Sequence, residues 1–178
     1  MERRENMSNE ASASDVAGRG AVIVGVIPEQ SPRVVKEAAR YARLLGAPLL
    51  LVHVDTTRFV TYEDPDGFVR SAPIDIDVAP GEAELAQVRA EASAVLDGHG
   101  LDYSVRQLVG DPALAIKHLA DDIDARLLVI GTRKRGFGES IREFFTGSVA
   151  ARLAHRQRRP ILVVPIGELV PDDQDPWS

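Results

Sequence analysis

The stretch Leu127 to Pro165, LLVIGTRKRGFGESIREFFTGSVAARLAHRQRRPILVVP, decides the fold. It opens on a short apolar run, Leu127-Leu128-Val129-Ile130, which Gly131 stops. A loop rich in glycine and basic residues follows. Gly147-Ser148 then opens a helical pattern, and the apolar run Ile161 to Val164 closes the stretch. Strand, glycine loop, helix and strand is a layout that presents backbone N–H groups to an anion at a helix N-terminus. Gly131, Gly136, Gly138, Gly147 and Ser148 supply unhindered N–H groups and a hydroxyl. Arg133, Lys134 and Arg135 add charge-assisted donors. The same residues also read as a tight turn, an N-cap and ordinary loop glycines. Neither a P-loop nor a G-x-G-x-x-G fingerprint is present.

Working outward, the rest of the chain repeats the same alternation. Ala21 to Ile27 (AVIVGVI) is a continuous apolar run, the pattern of a strand buried on both faces. Pro28 ends it. Ser31-Pro32 reads as an N-cap with proline at the first helical position. Val35, Ala38, Ala39, Ala42 and Leu45 recur at helical spacing up to Gly46, and Leu49 to Val54 is a second buried strand. Ala21 to Asp55 is thus a βαβ unit with parallel strands. Residues 56–81 break the rhythm: Asp64-Pro65-Asp66-Gly67 is a turn signal inside a small hairpin, followed by an extended acidic segment, Ser71 to Asp77.

Glu82 to Asp97 is helical, with Leu85, Val88, Ala92 and Val95 on one stripe. Tyr103 to Val109 is a third strand, more polar and so nearer an edge. Gly110-Asp111-Pro112 turns into a third helix with Asp111 as its N-cap, and Ile116, Leu119 and Ile123 form the apolar face. The last helix turns Ala150, Leu153 and Ala154 inward, and prolines 160 and 165 bound the fifth strand. The expected architecture is α/β: a three-layer α/β/α sandwich around a five-stranded parallel sheet. A lead over 1–19, one domain over 20–166 with an insertion over 56–81, and a loose acidic tail over 167–178 complete the division.

Composition narrows the chemistry. With 178 residues the chain suits one domain. It has no cysteine, which excludes disulfides, thiolate metal sites and cysteine nucleophiles. His53, His99, His118 and His155 are scattered without metal-like spacing. A net charge of −6 argues against general nucleic-acid binding, although Arg133 to Arg159 holds eight Lys/Arg against two Glu. No apolar run approaches the roughly 20 residues that span a membrane, and the N-terminus carries no hydrophobic signal core. A cytoplasmic protein is expected.

Three clusters read in two ways. His155, Arg156, Arg158 and Arg159 form either a polyanion patch or a solvated helix end. His53, inside the second strand, reads as a packed histidine with one hydrogen bond. Asp64, Asp66, Asp75 and Asp77 would either hold a cation or solvate their loop, and Asp121, Asp122 and Asp124 read as a polar helix end. Neither Ser71 nor Ser148 has His/Asp partners in a context that suits a hydrolase triad.

Leu127 to Pro165 resembles the C-terminal signature of the universal stress protein family. Nucleotide binders of that family carry glycine, two residues, glycine, nine residues, then glycine with Ser/Thr, a helix and a strand ending in proline. Gly131 matches the first glycine, Gly147-Ser148 the closing pair, and RRPILVVP the terminal strand. The resemblance implies an adenine nucleotide alpha hydrolase-like fold and a stress-response module that senses ATP, with Mg²⁺, or binds protein partners. It implies at most slow ATP hydrolysis, and a homodimer through Ile161 to Val164. It places Val26, Ile27, Val54, Gly131, Arg133, Gly136, Gly138, Gly147 and Ser148 at the nucleotide, with main chain near Val26 and Val54 on the adenine side. Two departures bear on ATP. Lys134 stands at the second glycine, in a loop three residues longer, and Ile27 stands where the family's ATP binders carry an aspartate. A nucleotide-independent homodimeric scaffold, and an enzyme acting on a small phosphorylated substrate, are the alternatives.

Overall fold

The computed structural model describes residues 18–56, 58–63, 69–73, 79–132 and 149–166. Strands β1 (Val22–Val26) and β2 (Leu49–Asp55) flank helix α1 (Pro32–Leu44). Strands β3 (Arg58–Glu63) and β4 (Val69–Pro73) follow, then α2 (Ala79–Leu96), β5 (Tyr103–Val109) and α3 (Pro112–Asp122). Strand β6 (Leu127–Gly131), helix α4 (Val149–Ala154) and β7 (Ile161–Val164) complete the described elements. The main sheet is parallel, in the order β5-β2-β1-β6-β7. The expected hairpin is present as the antiparallel pair β3-β4, a separate two-stranded sheet that takes in Ser71 to Pro73. The lead over 1–17, the tail over 167–178 and Asp64, Asp66, Asp75 and Asp77 lie outside the described residues.

Alternation along the strands builds two cores, one on each face of the sheet. Val22, Val24, Val26, Leu49, Leu51 and Val129 pack against α1 and α2. Ile23, Leu50, Val52, Leu128 and Ile130 pack against α3 and α4. Strands buried on both faces need apolar residues at every position, and that is why β1 and β6 read as unbroken apolar runs. Full burial of each such aliphatic side chain contributes roughly 1.5–3 kcal/mol. Strand β5, the most polar, lies at the sheet edge, as its composition implies, and is only half buried.

The helix starts follow local chemistry. Ser31 Oγ accepts from Arg33 N–H at 3.4 Å, with Pro32 in the first turn. Asp111 Oδ1 accepts from Leu114 N–H at 3.0 Å, with Pro112 in the same place. Gly46, at φ 55°, ends α1 with Ala47 N–H bonded to Ala42 O and its own N–H bonded to Arg43 O. Two inward assignments need correction. Leu45 forms the C-cap of α1 and is 41% exposed, while Val34, in the first turn, joins Val35, Ala38, Ala39 and Ala42 on the buried face. Ala154, the last residue of α4, is exposed and leaves Leu153 to fill the core. In both cases the helix ends before periodicity alone would stop it.

Candidate functional site

The connections leave β1 toward β2 on one side and return to β6 on the other. The strand order therefore reverses between β1 and β6, and in open parallel sheets ligands bind at that crevice, beyond the carboxyl ends of the strands. Gly25 pairs with Ile130 and Val26 with His53, so Val26 and Ile27 come level with Gly131 and the end of β2. Val26 is buried on the α1–α2 face, whereas Ile27 is 59% exposed. Val54 is half buried and packs on the opposite face with the α3–α4 core. The structure thus brings Val26, Ile27, Val54 and Gly131 to one edge. Arg133, Gly136, Gly138, Gly147 and Ser148 lie outside the described residues.

A tight turn rims this edge. Gln30 N–H donates to Ile27 O at 3.3 Å, and Gln30 Oε1 accepts from Ile27 N–H at 3.4 Å. Pro28 fixes a negative φ at the second position, and Glu29 at the third has φ 58°. That is the type II pattern, whose third position favours glycine. Glu29 N–H donates across to Glu91 Oε1 at 3.1 Å, and Gln87 Nε2 donates to the same oxygen at 3.0 Å. Beneath the turn, a Cβ on Gly131 would lie 2.6 Å from Gln30 Nε2 and 2.9 Å from Val34 Cγ2. Gly131 therefore has a packing reason of its own: it lets the start of α1 close over the end of β6. Next to it, Thr132 N–H donates to Val164 O, and Thr132 Oγ1 accepts from Ile166 N–H.

His53 is buried among polar partners. Its Nδ1 lies 3.3 Å from Val26 O and its Nε2 3.1 Å from Glu84 Oε2. Both facing groups are acceptors, so a neutral ring donates to one and an imidazolium to both. The packed reading holds, with contacts on both nitrogens rather than one. Asp55, at the end of β2, is also buried, and its carboxylate sits against the first turn of α2: a Cβ on Gly81 would come within 2.6 Å of Asp55 Oδ2. A carboxylate there suits the positive end of the helix. Sequence reasoning missed this contact. Its only local signal was a glycine just after an acidic segment.

The basic residues divide. Arg159 Nε donates to Ala125 O at 2.9 Å, and its guanidinium also holds Asp121 and, at 3.4 Å, Asp124. Arg159 is thus a brace between β7 and the α3–β6 junction, which neither sequence reading anticipated, and Asp121 and Asp124 are its partners as well as a helix end. His155, Arg156 and Arg158 are exposed. Arg152 of α4 pairs with Asp111 at 2.6 Å. Burial would raise the Asp111 pKa, but hydrogen bonds from Arg152 and from Leu114 N–H outweigh it and hold the carboxyl below its ordinary value. A carboxyl depressed in the folded state stabilises the fold above its unfolded pKa of about 3.9, and that stability is lost as pH falls through the folded value. Asp111→Ala is expected to cost about 1–2 kcal/mol near neutral pH in urea unfolding, and the cost should shrink below about pH 4. A cost that does not change with pH would refute the role of the charge.

Beside the edge, between α1 and α2, lies a cleft of about 330 Å³ lined by Val26, Ile27, Val35, Leu51, Val88 and Ala92, with Glu29, Gln30 and Glu91 also on its wall. Among the described residues no group of three or more His, Asp or Glu is arranged for a metal ion, and no helix is long and apolar enough to cross a membrane.

The family model described as the universal stress protein family matches residues 19–165. The chain belongs to the universal stress protein family. Solved structures of the family share its fold. A universal stress protein crystallised in complex with cAMP is 28% identical, with a TM-score of 0.55, over 83% of this chain and 98% of that one. One from Archaeoglobus fulgidus is 24% identical, with a TM-score of 0.56, over 80% and 96%. Another from Burkholderia pseudomallei is 23% identical, with a TM-score of 0.56, over 83% and 97%. Comparison with the curated proteins gives no match.

Proposed function

We propose that this universal stress protein binds an adenine nucleotide at the carboxyl edge of β1, β2 and β6, and that occupancy regulates its engagement of protein partners in a cytoplasmic stress response. The observation that carries the reading is the meeting of Ile27 and Gly131 at the β1/β6 reversal. The family relative in complex with cAMP supports it. Main chain at Val26, Ile27 and Val54 would face the base. Gly131, Gly147 and Ser148, with Arg133, Gly136 and Gly138, would face the phosphates, and Mg²⁺ would enter with ATP. The fit is partial: Gln30 and Val34 crowd Gly131, and Ile27 offers no carboxylate. Calorimetry of the full chain with ATP and Mg²⁺, and with AMP, tests the reading. Saturable heat is expected, and Gly147→Val should abolish it by filling the phosphate position. Absence of heat with every adenine nucleotide would sink it.

A second reading, a nucleotide-independent homodimeric scaffold, draws on the same Ile27 and on β7. That strand is the outer strand of the sheet, and its Val163 is 46% exposed. Unpaired strand edges invite pairing with a second copy. Sedimentation should find a dimer that Val163→Lys converts largely to monomer; an unchanged dimer would exclude this interface.

A further inference from the structure

Helix α1 carries its buried residues, Val34, Val35, Ala38, Ala39 and Ala42, on one side. On the opposite side Arg33, Lys36, Arg40 and Arg43 follow one another at spacings of three and four, which sets them in one stripe along the helix. All four are exposed, and Leu44, 70% exposed, ends the stripe. Glu37 is the one acidic residue of α1, and it pairs with Arg40 at 3.5 Å. Among the described residues Arg33, Lys36 and Arg43 have no carboxylate partner. In a chain of net charge −6 this face is a local excess of positive charge.

The chain itself supplies the opposite charge at the right place. Strand β7 runs parallel to β6, and β6 to β1, so β7 ends at the edge where α1 begins. Ile166 packs on the α1–α2 core, and its N–H reaches Thr132, the neighbour of Gly131, over which Val34 closes. Residues 167–178, GELVPDDQDPWS, therefore start beside the first turn of α1. They contain Glu168, Asp172, Asp173 and Asp175 and no Lys or Arg.

We propose that residues 167–178 dock along the exposed face of α1, with Asp172, Asp173 and Asp175 against the stripe from Arg33 to Arg43 and Trp177 toward Leu44. The reach is sufficient. The stripe is about 15 Å long at the helical rise, and the chain from Ile166 to Asp172 extends up to about 20 Å. Each exposed ion pair contributes little alone. A tethered segment acts at an effective concentration on the order of millimolar, so a few weak pairs together suffice. Trp177 adds an apolar contact to Leu44 and a ring over which a guanidinium can lie. While docked, the segment keeps other acidic segments off α1. Nucleotide binding at the β1/β6 reversal is not required for it.

Trp177 is the only tryptophan in the chain, so its fluorescence reports the dock directly. The test is quenching of the full chain by acrylamide, an uncharged probe, at low salt and at about 1 M NaCl, where the Debye length is about 3 Å. Trp177 should be quenched about half as strongly at low salt as at high salt. Arg33→Glu, Lys36→Glu and Arg40→Glu together, checked for folding by circular dichroism, should raise the low-salt quenching about twofold and remove its salt dependence. Asp172→Lys, Asp173→Lys and Asp175→Lys together should do the same in the parent. Combining the two sets restores opposite charges and should bring the protection back, a response that local burial of Trp177 would not give. Equal quenching in the parent and in both charge-reversed variants overturns the proposal, as does a combined variant that stays open. Protection that rises with protein concentration also overturns it, because the segment would then sit on a second copy. If the α1 variant fails to fold, the Asp-to-Lys variant and the salt dependence of the parent decide the matter alone.

Discussion

Gly131→Val is expected to lower stability by about 3 kcal/mol, and Gly131→Ala by about 1–2 kcal/mol, read as a fall in the urea midpoint. Both figures follow from overpacking a filled site. The two contacts differ in how easily they give way. Gln30 Nε2, 2.6 Å from the added carbon, is the far end of a flexible side chain and can swing out at the loss of its bond to Ile27 N–H. Val34 Cγ2, at 2.9 Å, belongs to a fully buried side chain in the first turns of α1 and has nowhere to go without moving the helix. Valine adds two methyl groups in the same place. Gln30→Ala should therefore recover only part of the Gly131→Ala loss. An alanine variant as stable as the parent would show that α1 does not need this close approach. The result also governs how ligand experiments are read: a Gly131 variant that no longer binds nucleotide has lost its packing first, so Gly147 is the better probe of the phosphates.

Ile27→Asp should tighten adenine nucleotide binding about tenfold or more. Ile27 projects into solvent at the end of β1, so replacing it should change stability by no more than about 0.5 kcal/mol. A carboxylate at the strand end adds a charge-assisted acceptor for nucleoside hydroxyl or amino groups, worth roughly 1.5–3 kcal/mol, and about 1.4 kcal/mol is a factor of ten. Calorimetry with ATP and with AMP measures the change directly. Equal affinity in the folded variant and the parent would mean that the nucleotide does not lie against the end of β1, and would favour the scaffold reading. The added charge stands next to Glu29, so the gain should be larger at moderate salt than at low salt.

The frame of this protein was legible because its signals are local. Apolar runs, unbroken in β1 and β6 and interrupted by His53 in β2, marked the inner strands, the polar composition of Tyr103 to Val109 put β5 at the edge, and Ser31 and Asp111 announced their helices through caps two or three residues away. What escaped depends on residues far apart in the chain. Gly131 meets Gln30 across about a hundred residues, Arg159 finds Asp121 and Ala125, and Asp55 meets Gly81 past a whole hairpin. No periodicity carries such pairings. Leu45 and Ala154 were misplaced for the opposite reason: the helical repeat continues in sequence after the helix has ended.

The sheet order also sets a schedule. Strand β1 is the central strand, yet its two neighbours are made at very different times. Strand β2 follows it closely, but β6 begins about a hundred residues later. At ribosomal rates of roughly 5–20 residues per second, the second edge of β1 waits about 5–20 s for its partner. During that interval the emerging chain carries VIVGV with one flank open, a ready template for pairing with another nascent chain. The N-terminal βαβ unit therefore keeps one flank of β1 unpaired until Leu127 to Gly131 has been made, and the arrival of that strand closes it.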